Sequence, residues 1–219
     1  MHSSVQKLLH IEKLVKSKEL NSNILKPPKI IAVSKTFSLD KIMPLIEHGH
    51  CDYGENKVQE ALDKWGQIKL ERPELVLHLI GKLQTNKVKF ALKIFDFIHS
   101  VDSKKLANKI YDEQLKQNKK VKIFIQVNLG NEVQKSGVLK NDLNELYLYC
   151  VSLKLNVVGL MCIPPVNSDP DPFFHELNEL NKNLSLKDLS IGMSSDYIKA
   201  VENHSTYLRV GSAIFGNRT

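Results

Sequence analysis

Arginine is almost missing from this chain. Of its 31 lysines and arginines, only Arg72, Arg209 and Arg218 are arginines. Arginine forks supply most specific contacts to nucleic-acid bases. The lysines are spread along every predicted helix among Asp and Glu, and not clustered with aromatics. The net charge of +7 therefore reads as solvated helix faces, and nucleic acid is not an expected partner. Cysteine is as scarce. Cys51, Cys150 and Cys162 are odd in number and widely spaced, which argues against a disulfide framework or a zinc site. That usage agrees with a reducing, cytoplasmic compartment. No apolar stretch approaches the roughly 20 residues that span a bilayer, so no membrane partner is expected. The opening MHSSVQKLLHIEKLVKSKEL has Val5, Leu8, Leu9, Leu14 and Val15 interrupted by charge. That spacing suits an amphipathic helix and not a signal peptide.

What is present is a repeated switch between short continuous apolar runs and longer periodic segments. Such runs read as buried parallel strands, and the periodic segments as helices that cover them. Strands are predicted at Lys29–Ser34, Cys51–Tyr53, Leu75–Ile80, Phe95–Ser100, Val121–Asn128, Val157–Ile163, Leu189–Gly192 and Tyr207–Ala213. Helices are predicted after Ser38, through Val58–Trp65, after Gly81, over Ser103–Asn118 and Asp142–Val151, from Pro172, and over Ser195–Glu202. Eight strand-then-helix units without a linker predict a single α/β domain over residues 1–219, a TIM-type (β/α)8 barrel. Residues 1–25 form an extra N-terminal helix packed on it. An open doubly wound sheet is the competing fold. It receives no support from S-K-T-F-S-L after the first strand, which is not a G-x-G-x-x-G dinucleotide fingerprint.

In a barrel the functional face lies where the strands end. Ser34-Lys35, Gly54-Glu55-Asn56, His78 with Gly81, His99-Ser100, Asn128, Met161 to Pro165, Met193-Ser194 and Arg209 to Ser212 collect there. Gly192-Met193-Ser194 joins strand seven to a helix whose free N–H groups suit an anion, and Ser194 adds a hydroxyl. His204-Ser205-Thr206 supplies more hydroxyls, and Gly211 permits close backbone approach. Barrels often bind phosphate after strands seven and eight. Arg209 sits in an otherwise apolar strand, where an unpaired charge is costly, so it needs a partner. Lys35 ends the first strand, and a lysine amine condenses with aldehydes. A phosphate site and a lysine across one barrel mouth fit pyridoxal 5′-phosphate (PLP).

Further segments carry a resemblance: I-A-V-S-K-T, D-Y-G-E-N-K-V-Q-E, L-H-L-I-G-K-L-Q-T-N-K, I-H-S-V-D-S and I-Q-V-N-L-G-N-E-V-Q-K-S-G. It continues through G-L-M-C-I-P-P, I-G-M-S-S-D and S-T-Y-L-R-V-G-S-A-I-F-G. In this order they resemble the pyridoxal phosphate homeostasis proteins, relatives of the N-terminal barrel of alanine racemase (fold type III), over nearly the whole chain after the first helix. The resemblance implies a PLP Schiff base on Lys35. It assigns Ser194, Thr206 and the Gly211 backbone to the phosphate, with Ser205 as a weaker candidate, and Arg209 to the pyridine nitrogen. Asn56, Met193 and Lys135 match positions near the cofactor. Lys57 replaces a usual tyrosine, and His204 a usual glycine, so that a positive φ at His204 would carry a cost.

The racemases use a second base from a further domain, and this chain ends soon after Gly216. The expected function is thus a monomeric PLP carrier in vitamin B6 homeostasis, without robust turnover and possessing no metal. Its partners would be PLP and apo-enzymes that receive it. The alternative is a small racemase-like amino-acid enzyme that recruits a base from its own barrel, such as Tyr53.

Overall fold

The computed structural model describes residues 1–22, 27–132 and 134–216. Helix α1 (Ser3–Ser22) precedes strand β1 (Lys29–Val33), and the chain then alternates: α2 (Leu39–Glu47), β2 (Asp52–Glu55), α3 (Val58–Glu71), β3 (Val76–Leu79). It continues with α4 (Val88–Ile94), β4 (Phe97–Val101), α5 (Lys104–Gln117), β5 (Lys122–Asn128), β6 (Val138–Leu139) and α6 (Leu143–Ser152). The remaining elements are β7 (Asn156–Met161), α7 (Asp171–Asn183), β8 (Asp188–Met193), α8 (Tyr197–Glu202), β9 (Tyr207–Val210) and α9 (Ser212–Phe215).

Eight strands pair in parallel in the order β4-β3-β2-β1-β9-β8-β7-β5, and β4 also pairs with β5. That last pairing closes the barrel and excludes the open sheet. The two-residue β6 is an addition at the end of β5.

Closure explains the unbroken apolar runs. In β1, Ile30 and Ala32 join the core beneath the helices, whereas Ile31 belongs to a separate cluster with Phe97, Phe124, Met161 and Tyr207. A strand buried on both faces needs apolar residues at both phases of its period of two. The separate cluster fills the lumen. Phe124 on β5 and Tyr207 on β9, strands that do not pair, place ring centroids 5.5 Å apart.

Several boundaries differ from the sequence reading for local reasons. Ser38 precedes α2 without a side-chain cap bond, whereas Ser103 caps α5 by accepting from the Leu106 N–H. The segment after Gly81 first makes a 3₁₀ turn at Thr85–Lys87 before α4. The last strand stops at Val210 instead of running to Ala213, because Gly211-Ser212 turns into α9. Helix α1 packs on α2, α8 and α9 through Val5, Leu8, Ile11 and Val15. Residues 23–25 of the predicted first helix lie outside the described residues. Among the described residues no helix is long and apolar enough to cross a membrane, and no acid–histidine–cysteine cluster could hold a metal.

Candidate functional site

At the strands' C-terminal end lies a cavity of about 520 Å³, lined in part by Lys35, Asn56, Met193, Ser194, Arg209 and Gly211. Its size falls in the range of about 300–1,000 Å³ usual for small-molecule sites.

Lys35 follows β1 in a tight turn whose next residue, Thr36, has φ 67°. A β-branched side chain is strained there, by about 1–3 kcal/mol. The turn is held from several sides. The Thr36 N–H donates to Glu60 Oε1 at 2.5 Å, and the Phe37 N–H to the Ser34 carbonyl at 3.1 Å. The Ser34 hydroxyl donates to Glu55 Oε1 at 2.7 Å. Lys64 donates to the Ser34 carbonyl (2.9 Å), Glu55 (3.0 Å) and Glu60 (3.1 Å). Trp65 Nε1–H also donates to Glu55, at 2.9 Å. Burial raises the Glu60 carboxyl's proton affinity, but the Thr36 N–H and Lys64 outweigh it and hold its pKa below the ordinary value. Strain persists where surrounding structure over-determines it, which is characteristic of functional turns.

Across the mouth, the Ser194 hydroxyl oxygen accepts from the N–H groups of Gly211 (3.1 Å) and Ala213 (3.2 Å). Gly192, at φ 91°, makes this possible. A Cβ on it would lie 2.5 Å from that of Ala200. The β8–β9 register also shifts between Ser190 and Met193, re-aiming Met193 and Ser194 toward the cavity. Ser195 and Ser212 add two hydroxyl-bearing residues to the lining. Both N–H groups are spent on Ser194, whose own hydrogen is left to donate toward the cavity, where hydroxyl donors suit an anion.

Arg209 finds its partners within the barrel. One guanidinium nitrogen donates to the Ser190 carbonyl and hydroxyl at 2.6 and 2.7 Å, and the other to the Cys162 carbonyl at 3.0 Å. Burial lowers its pKa to about 10, so it remains charged at neutral pH. Asn56 is positioned by close packing of two loops: a Cβ on Gly81 would fall 2.4 Å from the Asn56 carbonyl oxygen.

Of the residues assigned from sequence, Ser205 and Thr206 are not brought to this cavity. They precede β9, level with the start of β1, where Lys29 N–H donates to the Thr206 carbonyl. Parallel strands put that level on the opposite face of the barrel. Their hydroxyls are committed to backbone: Ser205 donates to Ile191 (2.9 Å) and Tyr207 (3.1 Å), and Thr206 Oγ1 accepts from the Leu189 N–H (2.7 Å). The phosphate assignment of these two residues is therefore corrected. Ser195 and Ser212 line the cavity as well, although from sequence Ser212 stands among the strand ends without a role of its own.

His204 does adopt a positive φ, 63°, but at the end of α8 on that same far face. Its cost falls on stability and not on the cavity. Replacing His204 by glycine is expected to raise stability by about 0.5–1 kcal/mol, measurable by urea denaturation. Lys57 is exposed and is not part of the lining. Lys135 bonds to Glu132 and to the Pro164 carbonyl. Tyr53 points to the outside of the sheet, against Trp65 at 4.8 Å and His50 at 5.3 Å, and burial pushes its hydroxyl pKa up. It does not reach the cavity.

A profile of the alanine racemase N-terminal domain matches residues 16–219. The chain belongs to that family. Within it, the pyridoxal phosphate homeostasis protein of Aquifex aeolicus is 40% identical over 200 residues, covering 87% of each chain. The mouse protein of the same name is 35% identical over 213 residues, covering 87% of this chain and 77% of its own. PipY of Synechococcus elongatus, solved with PLP bound, superimposes with a TM-score of 0.81 at 32% identity, covering 92% of this chain and 100% of PipY. The TIM-type barrel expected from sequence is thus shared with this family member, and the described cavity sits at the barrel end where such folds carry their sites.

Proposed function

We propose that this protein binds PLP, holds it reversibly as a Schiff base on Lys35, and releases it to other proteins as part of PLP homeostasis. The observation that carries this reading is that Lys35, Ser194 and the Gly211 backbone line one cavity. The PLP-bound PipY relative supports it. When bound, the cofactor supplies an aldehyde and, with suitable partners, an electron sink.

The residues divide the work by chemistry. The neutral Lys35 amine forms a C=N bond with the aldehyde carbon, and water leaves with the carbonyl oxygen. An incoming amine would add to that carbon and expel the Lys35 amine, so that the imine passes to it without hydrolysis. The Ser194 hydroxyl holds the phosphate, fixed in place by the Gly211 and Ala213 N–H groups, with Ser195 and Ser212 in reach of the same wall. Arg209 faces the pyridine nitrogen, and a guanidinium there keeps that nitrogen unprotonated, which weakens the electron sink. Among the described residues lining the cavity, Lys35 is the one lysine, and no histidine, carboxylate, thiol or phenol joins it. Racemisation needs a base on each face of the substrate, so the lining favours carriage over turnover.

Titrating the protein with PLP and recording absorption tests this reading. A visible band of a protonated imine is expected, saturating with one PLP per chain. α-Deuterated amino acids added to the loaded protein are expected to exchange no faster than with free PLP. Exchange well above that rate would replace the carrier reading with a racemase-like enzyme, and no band would remove the Schiff base on Lys35.

A further inference from the structure

TIM-barrel lumens are usually packed with branched aliphatic residues, but this one carries a polar thread. The Arg209 guanidinium bonds to Ser190 Oγ at 2.7 Å, and Ser190 Oγ lies 2.8 Å from His99 Nδ1. His99 Nε2 is 3.0 Å from His78 Nδ1, and His78 Nε2 is 3.0 Å from Asp52 Oδ1. Both histidines and Ser190 are wholly buried. Asp52 opens β2 at the far face, where Lys29 Nζ stands 3.5 Å away. The thread thus runs from the cavity wall to the other end of the barrel. Aromatic packing fixes the rings: His78 stacks on Phe97 (4.5 Å) and His99 on Phe124 (4.3 Å).

The direction of every bond follows from its two ends. A carboxylate can only accept, so His78 Nε2 carries the hydrogen toward Asp52. Neutral His78 then offers Nδ1 as an acceptor, which requires a hydrogen on His99 Nε2. Neutral His99 in turn offers Nδ1 to the Ser190 hydroxyl, whose oxygen accepts from Arg209. The reverse direction would give Ser190 Oγ two donors and leave its own hydrogen with no acceptor among its bonds in the structure. Neutrality has a clear source. Burial pulls the His99 pKa well down, helped by the nearby His78 and Arg209. Burial also lowers that of His78, against Asp52 and Asp96, which raise it.

We infer that Arg209, Ser190, His99, His78 and Asp52 form a one-directional hydrogen-bond relay from cation to anion through the barrel. In it, Ser190, His99 and His78 act as positioning residues that hold the guanidinium in the cavity. The bond directions stand on their own, whereas the consequence for the cofactor rests on the PLP-binding reading above. Each link constrains the next, so removing the acidic end on the far face loosens the arginine at the near one.

Histidine ¹⁵N NMR on the cofactor-free protein tests the relay directly. Two of the eight histidines, assigned through His78→Gln and His99→Gln, are expected as neutral Nε2–H tautomers. They should not titrate between about pH 5.5 and about pH 8.5, a range that charges ordinary histidines. Asp52→Asn keeps an acceptor and should preserve the pattern, while Asp52→Ala should let the Nδ1–H tautomer appear. Titration or an Nδ1–H form in the native protein overturns the relay. For positioning, Ser190→Ala and Asp52→Ala are expected to weaken PLP binding roughly fivefold to tenfold, about one hydrogen bond's worth, and to shift the bound cofactor's absorption. Unchanged affinity and spectrum in both variants, with changed tautomers, overturns the positioning role alone. A native protein that binds no PLP yet shows the neutral tautomers overturns the functional reading and leaves the relay standing.

Discussion

Lys35→Ala is expected to lose the visible imine band entirely, along with any adduct that borohydride can fix. The fold should hold. Lys35 is a half-exposed turn residue, and replacing it outside the packed core costs within about 0.5 kcal/mol. The clamp on the turn also runs through its neighbours, since Glu55, Glu60 and Lys64 grip Ser34 and Thr36. Phosphate-borne affinity should persist because the Ser194, Gly211 and Ala213 contacts do not involve the lysine. The variant is therefore expected to bind PLP weakly and reversibly, in competition with inorganic phosphate. The decisive measurement is mass spectrometry after borohydride treatment. An adduct that survives in the variant on the same barrel face would move the covalent role elsewhere. Lys135, bonded to Glu132 and Pro164, would be the first residue to examine. A variant that unfolds would show in its circular dichroism, and Lys35→Arg would then separate lost chemistry from lost structure.

The barrel was legible because most of its strands are buried on both faces and appear as apolar runs that need no knowledge of their neighbours. β2, with Tyr53 as its one large apolar side chain, was the weakest of the eight. Closure was not legible, since the β4–β5 pairing joins residues that no local pattern connects. Lys35, Asn56, Ser194 and Arg209 were legible as polar residues at strand ends, and Met193 and Gly211 as their neighbours in the same segments. The error with Ser205 and Thr206 has a physical origin. They abut the last strand, but at its beginning, and a strand's two ends lie on opposite faces of the barrel. Hydroxyls near a strand are not interchangeable unless chain direction is followed. Glu55 and Lys64 were less visible still, because their role is to hold the turn before Lys35 across 9 to 30 residues of sequence. The lumen relay was hidden for the same reason. His78, His99 and Ser190 each look like a lone polar residue in an apolar run, and only closure brings them into a line.

That buried line gives the second large expectation: stability should fall steeply between pH 7 and pH 5. Burial lowers the pKa of His50, His78 and His99 in the fold. An unfolded histidine takes up its proton near pH 6.5. Below that value the unfolded chain binds protons that the folded barrel refuses, so stability drops as pH falls. A histidine that stays neutral in the fold loses at most about 2 kcal/mol between pH 7 and pH 5. His99, the most strongly shifted, should approach that limit, and the three together should lose roughly 2–5 kcal/mol. Asp52 behaves in the opposite sense and in another window. Burial raises its proton affinity, but His78 and Lys29 more than offset this and hold its pKa below the ordinary value. Its contribution is thus present above about pH 4 and lost only in stronger acid. Urea midpoints at pH 7.5, 6.0 and 5.0 should therefore fall well before the carboxylates titrate. His99→Phe should be less stable than the native protein at pH 7.5, because Ser190 loses its acceptor. Its stability should nevertheless decline less between pH 7 and pH 5, since one proton-refusing group is gone. Equal slopes for the two proteins would mean that His99 is charged inside the barrel, and the neutral lumen would have to be abandoned.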